Sequence, residues 1–331
     1  MNLFGSPRFY KRVLVIGETD QVRSMIQTLS KIDPYYDIVG YINTGNGGEP
    51  IEGLEIFDGE NIKSEIASKK INETVVATYN EDAITPELYG DLIDLLEKGH
   101  LIREFSQVYE AIVHRIPVQF VGKDFYRYFP FSRSNKNQLY QLFSRIFDIV
   151  ISIIGLVLTL IFIPFVLIGN LMANRGPLFY SQDRVGKNGL VFRITKFRTM
   201  VADAEAEGAK WAQANDKRVT TFGRLLRNSR VDELPQFLNV LKGEMALIGP
   251  RPERPVFVKE LSKVIPFYET RHIIKPGLTG WAQVKMRYGS SVEDSLTKLQ
   301  YDLFYIKRRS FFLDFNIIVK TISTVLYYRG Q

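Results

Sequence analysis

The sequence predicts an α/β fold, with a parallel-sheet domain at the N-terminus followed by a mainly helical, membrane-associated domain. Two observations support this prediction. Short apolar runs alternate with helix-like stretches before residue 128, and one long uncharged run lies at 149–172. The charge is also unevenly distributed, since residues 1–130 carry a net charge of −7 and the remainder a net charge of +14. The basic part is therefore expected to meet an anionic partner.

The first 128 residues show alternating strand and helix patterns. Apolar runs at 13–16, 37–42, 74–78, 101–105 and 118–121 predict strands, and helical periodicity at 21–30, 62–70 and 86–98 predicts helices between them. This alternation is typical of βαβ units, so residues 1–128 are predicted to form a Rossmann-like accessory domain. Gly17 follows the first strand, but the two further glycines of a dinucleotide-binding loop are missing. A structural or regulatory module is therefore favoured over an NAD-binding one.

A change of composition separates the two domains. Aromatic, basic, Ser and Asn residues are frequent around 128–137, so the linker is placed at 129–140 and the second domain at 141–331. The sequence has no Cys, which excludes disulfides. Residues 1–12 lack the apolar stretch of a secretory signal, so the water-exposed parts of the protein are expected in the cytoplasm.

The uncharged run at 149–172 is long enough to enter a membrane. A straight helix over it would be about 36 Å long, more than the ~30 Å hydrocarbon core of a bilayer. Pro164 lies inside the run and removes a helical hydrogen bond, while Lys and Arg accumulate on both flanks, as they do on cytoplasmic sides. We therefore predict a re-entrant membrane helix at about 145–173, kinked at Pro164, with both ends in the cytoplasm. A bent spanning helix and a buried helix of a soluble core are the alternatives.

A second apolar stretch lies at 311–328, where Asp314 and Lys320 are the only charged residues. Its pattern fits a helix in the membrane interface. It fits equally well a helix that packs against the protein's own core.

Two adjacent carboxylates, Asp232 and Glu233, follow a stretch in which Arg224, Arg227 and Arg230 recur every three residues. A helix would place those guanidinium groups along one side. Nearby positive charge should keep both carboxyl groups ionised. An ionised Asp can attack phosphorus or bind Mg²⁺, so the pair is a candidate catalytic and metal site. A helix N-cap with Arg salt bridges is the alternative.

Basic motifs on both sides of this pair supply candidate phosphate ligands. Arg251 and Arg254 belong to a Gly-Pro-Arg-Pro-Glu-Arg turn, where proline stiffens the backbone and a guanidinium group can bind two phosphate oxygens. A Lys-Phe-Arg-Thr-Met motif at 196–200 adds a basic pair and a hydroxyl group. The candidate substrate-binding residues are Lys196, Arg198, Arg227, Gln236, Arg251 and Arg254.

Several motifs in the second domain resemble one known family, the bacterial sugar transferases. These are monotopic polyprenyl-phosphate phosphoglycosyltransferases, whose large form has a Rossmann-like N-terminal domain. The resemblance covers about residues 140–331, and Pro164 follows Ile163 here where the family typically has Ser. The matching motifs are Arg-Val-Gly at 184–186, Lys-Phe-Arg-Thr-Met at 196–200, Val-Asp-Glu-Leu-Pro-Gln at 231–236, Gly-Pro-Arg-Pro at 249–252 and Lys-Pro-Gly-Leu-Thr-Gly-Trp at 275–281.

The resemblance implies a two-step transfer of a phosphosugar, of the EC 2.7.8 type. Asp232 would attack the β-phosphate of a UDP-sugar, release UMP and hold the phosphosugar, which polyprenyl (undecaprenyl) phosphate would then accept. Mg²⁺ would assist, with Asp232 and Glu233 as metal ligands or with Glu233 as base. Such enzymes initiate polysaccharide and glycoconjugate synthesis at the cytoplasmic face of the bacterial inner membrane.

The alternative function is a membrane-tethered, nucleotide-sensing regulatory or scaffold protein, which would not need Asp232 and Glu233 side by side. Nucleic acid is not expected as a partner, because the basic residues flank a membrane segment and no nucleic-acid-binding motif is present. Membrane lipid is an expected partner, and a homodimer is a further possibility that the sequence leaves open. Nothing in the sequence names the sugar.

Overall fold

The structure is a computed structural model that describes residues 11–29, 36–45, 49–78, 83–118, 137–206, 208, 211, 216–286, 289 and 291–326. The chain divides into two compact units, Met1–Lys123 and Asp124–Gln331. The domain bounds set from the sequence stay predictions, and residues 129–136 of the predicted linker lie outside the described residues.

The described part of the N-terminal unit contains a parallel sheet of five strands in the order β3-β2-β1-β4-β5. The predicted parallel α/β arrangement is therefore confirmed. The strands are β1 (Lys11–Gly17), β2 (Tyr36–Asn43), β3 (Glu55–Ile56), β4 (Glu73–Val76) and β5 (Leu101–Glu104), and the helices are α1 (Thr19–Leu29), α2 (Ile62–Ser68), α3 (Pro86–Glu97) and α4 (Phe105–Val113).

The central strand β1 shows why this sheet forms. Val13, Leu14, Val15 and Ile16 are all fully buried. Because successive strand residues point to opposite faces, Val13 and Val15 pack with residues of α1 and α4, while Leu14 and Ile16 pack with residues of α2 and α3. A strand covered by helices on both faces has a continuous apolar sequence, which is the pattern on which the prediction rested. Of the predicted strand at 118–121, only Val118 is described, and it lies in a helical turn.

The second unit is mainly helical, as predicted. Its strands form an antiparallel hairpin, β6–β7, and a parallel pair, β8–β9. Its elements are α5 (Gln138–Gly169), β6 (Phe179–Val185), β7 (Val191–Phe197), α6 (Thr221–Asn228), a 3-10 turn (Val231–Gln236), α7 (Phe237–Lys242), β8 (Ala246–Ile248), α8 (Pro255–Val264), β9 (Gly277–Thr279), α9 (Trp281–Lys285), α10 (Val292–Arg308) and α11 (Phe311–Leu326).

The long apolar helix α5 begins earlier than predicted and is not divided at Pro164. Asn137 caps its first turn by accepting the backbone N–H of Tyr140 at 3.2 Å, so residues 138–140, at the end of the predicted linker, are helical. The helical conformation continues through Pro164 to Gly169, because a proline removes one hydrogen bond while its neighbours keep helical dihedral angles. The kink and the re-entrant path stay predictions.

Helix α5 has one face that packs inside the second unit. Small or polar side chains line it: Asp148, Ser152, Gly155 and Thr159 are all buried. The approach is close, since a Cβ atom on Gly155 would lie 2.3 Å from the ring of Phe237. The aromatic ring of Phe237 therefore needs a glycine on the facing helix.

The other faces of α5 are apolar and exposed. Leu160 is 67% exposed and Phe165 is 68% exposed. The helical segment Gln138–Asn174 has a mean hydropathy of 3.0 over its most apolar window and is long and apolar enough to cross a membrane. A large exposed apolar surface of this kind indicates membrane association.

Helix α11 has one packed face and one exposed face. Asp314 accepts hydrogen bonds from the hydroxyl groups of Tyr140 and Tyr305, which join α11 to α5 and α10. On the exposed side, Phe312 is 89% exposed and Phe315 is 67% exposed. The helix therefore combines the two alternatives that the sequence left open, core packing on one side and an unburied apolar surface on the other.

Candidate active site

The two candidate carboxylates lie on the 3-10 turn Val231–Gln236, between α6 and α7. Helix α6 ends at Asn228, and Arg230 adopts the left-handed conformation with a φ of 57°. The sequence pattern placed Arg224, Arg227 and Arg230 on one side of a single helix. That expectation is wrong for Arg230, because the chain leaves the helix before reaching it.

Glu233 is the centre of a cluster of basic side chains. Its Oε1 atom accepts hydrogen bonds from Arg251 Nη2 at 2.6 Å and from Lys196 Nζ at 3.1 Å. Arg230 Nη1 lies 3.8 Å from Oε2. Burial alone would raise the pKa of Glu233, but the charges of Arg251, Lys196 and Arg230 outweigh it and hold that pKa well below its usual value. Glu233 is therefore an ionised anchor for residues that are distant in sequence.

Asp232 is equally buried, yet its carboxylate has no hydrogen-bond or ion-pair partner among the described residues. Burial, followed by the negative charge of Glu233, raises the pKa of Asp232, while Lys196, Arg227 and Arg230 act against that shift. From the sequence we expected nearby positive charge to keep both carboxyl groups ionised; the direction of the pKa shift agrees with this for Glu233, whereas the pKa of Asp232 rises to about 6. The physical reason is that the cations contact Glu233, whereas burial dominates at Asp232.

Gln236 and Arg227 lie beside this pair. Gln236 is on the same turn, and its Nε2 atom is buried without a hydrogen-bond partner. A buried N–H donor that is left unpaired costs free energy, so this amide is available to a ligand. Arg227 donates from Nε to Thr199 Oγ1 at 2.9 Å and acts electrostatically on Asp232.

A buried ion pair between Arg271 and Asp302 supports the backbone of the Arg251–Arg254 turn. Arg271 Nη2 donates to Asp302 Oδ2 at 2.7 Å and to the backbone oxygen of Arg251 at 3.1 Å. Arg254 does not contact Glu233 and instead forms two hydrogen bonds with Glu205, at 2.9 and 3.1 Å. The two arginines of the turn therefore have different carboxylate partners.

Arg198 does not belong to the site as the sequence suggested. It is buried and donates to the backbone oxygens of Pro177, Met200 and Asn174 and to Asn170 Oδ1. These contacts tie the end of β7 to the π-helical turn Asn170–Asn174 that follows α5. Its guanidinium group is used in stabilising that junction.

Two residues of the cluster were not among the predicted site residues. Arg230 had a signal in the sequence, namely its place in the repeated arginines directly before Asp232. Arg184 lies in the Arg-Val-Gly motif, and its pKa is lowered by burial, with Arg251 and Arg254 acting in the same direction. Its Nε atom is buried without a partner, which adds a second available donor.

Comparison with known proteins identifies the second unit. The model of the bacterial sugar transferase family matches residues 139–328, more than half of the chain. The chain belongs to the bacterial sugar transferase family. The resemblance drawn from the five motifs is thereby confirmed.

The similarity to individual relatives extends beyond the second unit into the N-terminal unit. A UDP-N-acetylgalactosamine-undecaprenyl-phosphate N-acetylgalactosaminephosphotransferase from Aeromonas hydrophila is 45% identical over 258 residues, which is 77% of this chain and 59% of the relative. A UDP-glucose:undecaprenyl-phosphate glucose-1-phosphate transferase from Xanthomonas campestris is 32% identical over 339 residues, which is 96% of this chain and 66% of the relative. The chain thus spans about three fifths to two thirds of the length of these two relatives.

Proposed function

We propose that this protein transfers a phosphosugar from a UDP-sugar to polyprenyl phosphate, with release of UMP. The observation that carries the proposal is the buried, unpartnered carboxylate of Asp232 beside a cluster of basic side chains. A carboxylate with no structural partner is available for chemistry, and the basic side chains suit a substrate with two linked phosphates. The names of the relatives support the same substrate classes.

In the first step, an oxygen of Asp232 attacks the β-phosphorus of the UDP-sugar. The bond from that phosphorus to the oxygen bridging the two phosphates breaks, and UMP leaves with the electron pair. In the second step, a phosphate oxygen of the polyprenyl phosphate attacks the same phosphorus and displaces Asp232, which regains its carboxylate. The raised pKa of Asp232 makes it a stronger nucleophile than an ordinary carboxylate while most of it stays ionised at neutral pH.

Basic side chains supply the charge neutralisation that phosphoryl transfer needs. Lys196 and Arg251 are held in place by Glu233 and have further N–H donors that can contact phosphate oxygens. Gln236 offers its unpaired amide N–H, and Arg227 offers positive charge beside Asp232. Arg254 is proposed as a second phosphate contact, which requires it to share its guanidinium group with Glu205.

The fit of these residues to Mg²⁺ differs between the two carboxylates. Mg²⁺ is usually bound by one or two carboxylates together with substrate phosphates and water, and when bound it neutralises charge on the phosphates. Asp232 fits this role because its oxygens have no partner among the described residues. Glu233 fits it poorly, since one of its oxygens already accepts hydrogen bonds from Lys196 and Arg251. We therefore propose Asp232 as the metal ligand and Glu233 as the residue that positions the cations.

The reaction is proposed to take place at the cytoplasmic face of the bacterial inner membrane. The exposed apolar faces of α5 and α11 support membrane contact, and the basic flanks of the apolar run support a re-entrant path with both ends in the cytoplasm. A homodimer stays a prediction. The nucleotide-sensing scaffold is the alternative, and the names of the two relatives described above do not support it.

The test is UMP release by detergent-solubilised protein supplied with undecaprenyl phosphate and a panel of UDP-sugars. UDP-N-acetylgalactosamine and UDP-glucose come first, because the two relatives described above are named for them. We expect UMP release that requires both substrates for repeated turnover. A protein that binds UDP-sugars but releases no UMP with any of them would support the scaffold instead.

A further inference from the structure

A second basic cluster is built around Trp281, on elements other than the turn that holds the carboxylates. Trp281 is the first residue of α9, and its side chain is buried. Lys285 Nζ lies 4.7 Å from the centre of its ring, and Lys320 Nζ lies 5.0 Å from the same centre. Two ammonium groups from different helices, α9 and α11, thus both lie within cation–π distance of one indole ring.

Neither lysine has an ion-pair partner among the described residues. The pKa of Lys285 is lowered by burial and then by the charge and the close approach of Lys320, and no carboxylate acts against this shift. Cation–π attraction compensates part of the repulsion between the two ammonium groups. An anion bound between them would compensate the rest, because an opposite charge close to both ammonium groups favours their charged forms.

The position of Lys320 on α11 indicates which kind of anion could reach it. Lys320 is half-buried, while its helix neighbours Val319 and Ile322 are 49% and 53% exposed. Val319 and Ile322 continue the exposed apolar face that begins at Phe312 and Phe315, and Lys320 lies beside this face, about a third of a turn from its centre. A lipid whose hydrocarbon chain contacts the apolar face of α11 would bring its phosphate group close to Lys320.

The geometry of this cluster is held by hydrogen bonds between the elements that carry it. Thr279, at the end of β9, and Thr321, next to Lys320 on α11, have hydroxyl groups 2.7 Å apart. Thr321 also donates to the backbone oxygen of Ile317. The two lysines are therefore presented by a fixed junction between β9, α9 and α11.

We infer that Lys285 and Lys320 bind the phosphate group of a membrane lipid at the edge of Trp281. Two lipids have this chemistry: the polyprenyl phosphate acceptor and an anionic phospholipid of the bilayer. Binding of the polyprenyl phosphate rests on the proposed function, whereas binding of a bilayer phospholipid does not. In either case, the site lies on different elements from Asp232 and would hold the protein against the lipid surface.

The experiment compares three variants of the full chain. The first is the double variant Lys285→Gln, Lys320→Gln, which removes both charges and keeps polar side chains. The second is Lys285→Arg, Lys320→Arg, which keeps both charges and the cation–π contacts. The control is Lys259→Gln, Lys263→Gln on α8, which removes two charges from exposed positions outside the cluster.

Two readouts distinguish the two lipids. In uncharged detergent micelles without phospholipid, the apparent KM for undecaprenyl phosphate is measured together with formation of the phosphosugar adduct from donor alone. Separately, flotation is measured with phosphatidylcholine vesicles prepared with and without phosphatidylglycerol. Loss of two charged contacts to a phosphate should weaken binding by at least about tenfold.

A KM that rises about tenfold in the double Gln variant, with adduct formation unchanged, would support binding of the acceptor lipid. Loss of phosphatidylglycerol-dependent flotation with an unchanged KM would support binding of a bilayer phospholipid. The inference is overturned if neither readout changes, if the control on α8 loses as much, or if the Arg variant is as weak as the Gln variant. Should the double Gln variant unfold, Lys320→Gln alone is measured by the same criteria.

These measurements distinguish failure of the lipid-phosphate site from failure of the proposed function. If the wild-type protein releases no UMP, the proposed transfer fails, but flotation still reports on the lipid-phosphate site. If UMP is released normally and both lipid readouts are unchanged, the transfer stands and the lipid-phosphate site is excluded.

Discussion

Asp232 and Glu233 are neighbours in sequence, yet the structure assigns them opposite surroundings, and this predicts different consequences for Asp232→Asn and Glu233→Gln. Both substitutions keep the size of the side chain and remove its charge. Asp232→Asn removes the attacking oxygen without breaking any ion pair among the described residues. We expect it to lower turnover by more than about 10³-fold, because an amide cannot form the phosphosugar intermediate. The free energy of unfolding should change little or increase, because a buried, unpaired carboxylate becomes neutral.

Glu233→Gln should act mainly through structure. Glu233 is 10% exposed in its side chain and contacts Lys196 and Arg251, which are 19% and 29% exposed. Removing one partner of a largely buried ion pair leaves uncompensated charges, which costs about 3 kcal/mol of unfolding free energy. Turnover should fall by about 10²-fold, since the two cations lose their anchor while Asp232 keeps its carboxylate.

The assay is mass spectrometry of protein incubated with UDP-sugar alone and then denatured, combined with thermal unfolding of each variant. Wild-type protein and Glu233→Gln should carry a phosphosugar mass on the peptide that contains Asp232, and Asp232→Asn should not. Asp20→Asn, at an exposed position of the N-terminal unit, is the matched control and should behave as wild type. An adduct on Glu233, or substantial UMP release by Asp232→Asn, would refute the division of roles. Steady turnover with no adduct in any protein would mean direct attack by the lipid phosphate.

Three further predictions follow from the same structure. Removal of divalent cations with EDTA should abolish UMP release and Mg²⁺ should restore it; release that persists in metal-free buffer contradicts the metal role. Single Cys residues at Lys136 and Lys187 should both be labelled by a membrane-impermeant maleimide only in inverted vesicles, and labelling of either from the outside would show a spanning helix. Gly155→Ala should destabilise the protein by about 1–3 kcal/mol, because the new methyl group collides with Phe237, whereas Gly90→Ala, where nothing lies within 4 Å, should be neutral or stabilising in thermal unfolding. Equal melting temperatures for the two alanine variants would contradict the close packing of the long helix.

The parallel sheet could be predicted from sequence because its signal is local. Val13 to Ile16 form a continuous apolar run, and burial on both faces of a central strand requires such a run. Strand β3 escaped prediction because it has two residues, Glu55 and Ile56, both exposed, and no apolar pattern can form over that length. A strand as short and exposed as β3, which pairs with β2, therefore has no apolar pattern by which the sequence could predict it.

For the site, the sequence was sufficient to determine which residue types belong to the chemistry. The motif around Asp232 and Glu233, the paired prolines around Arg251 and the long apolar run are all contiguous, so each is visible without a structure. Contiguous motifs of this kind also determined the family.

Only the tertiary structure decided which basic side chain meets which carboxylate. Arg251 and Lys196 contact Glu233 although they lie 18 and 37 residues from it in the sequence. Arg198, only two residues from Lys196, instead donates a hydrogen bond to Asn170, directly after α5. No local pattern separates these cases, because the partner of a long side chain depends on which elements the fold brings together. The left-handed conformation of Arg230 is likewise not visible in the sequence; it lies between the end of α6 and the 3-10 turn that carries Asp232 and Glu233. Both carboxyl groups are buried, so the contacts of Arg251, Lys196 and Arg230 with Glu233, more than burial, are what separate the pKa of Glu233 from that of Asp232.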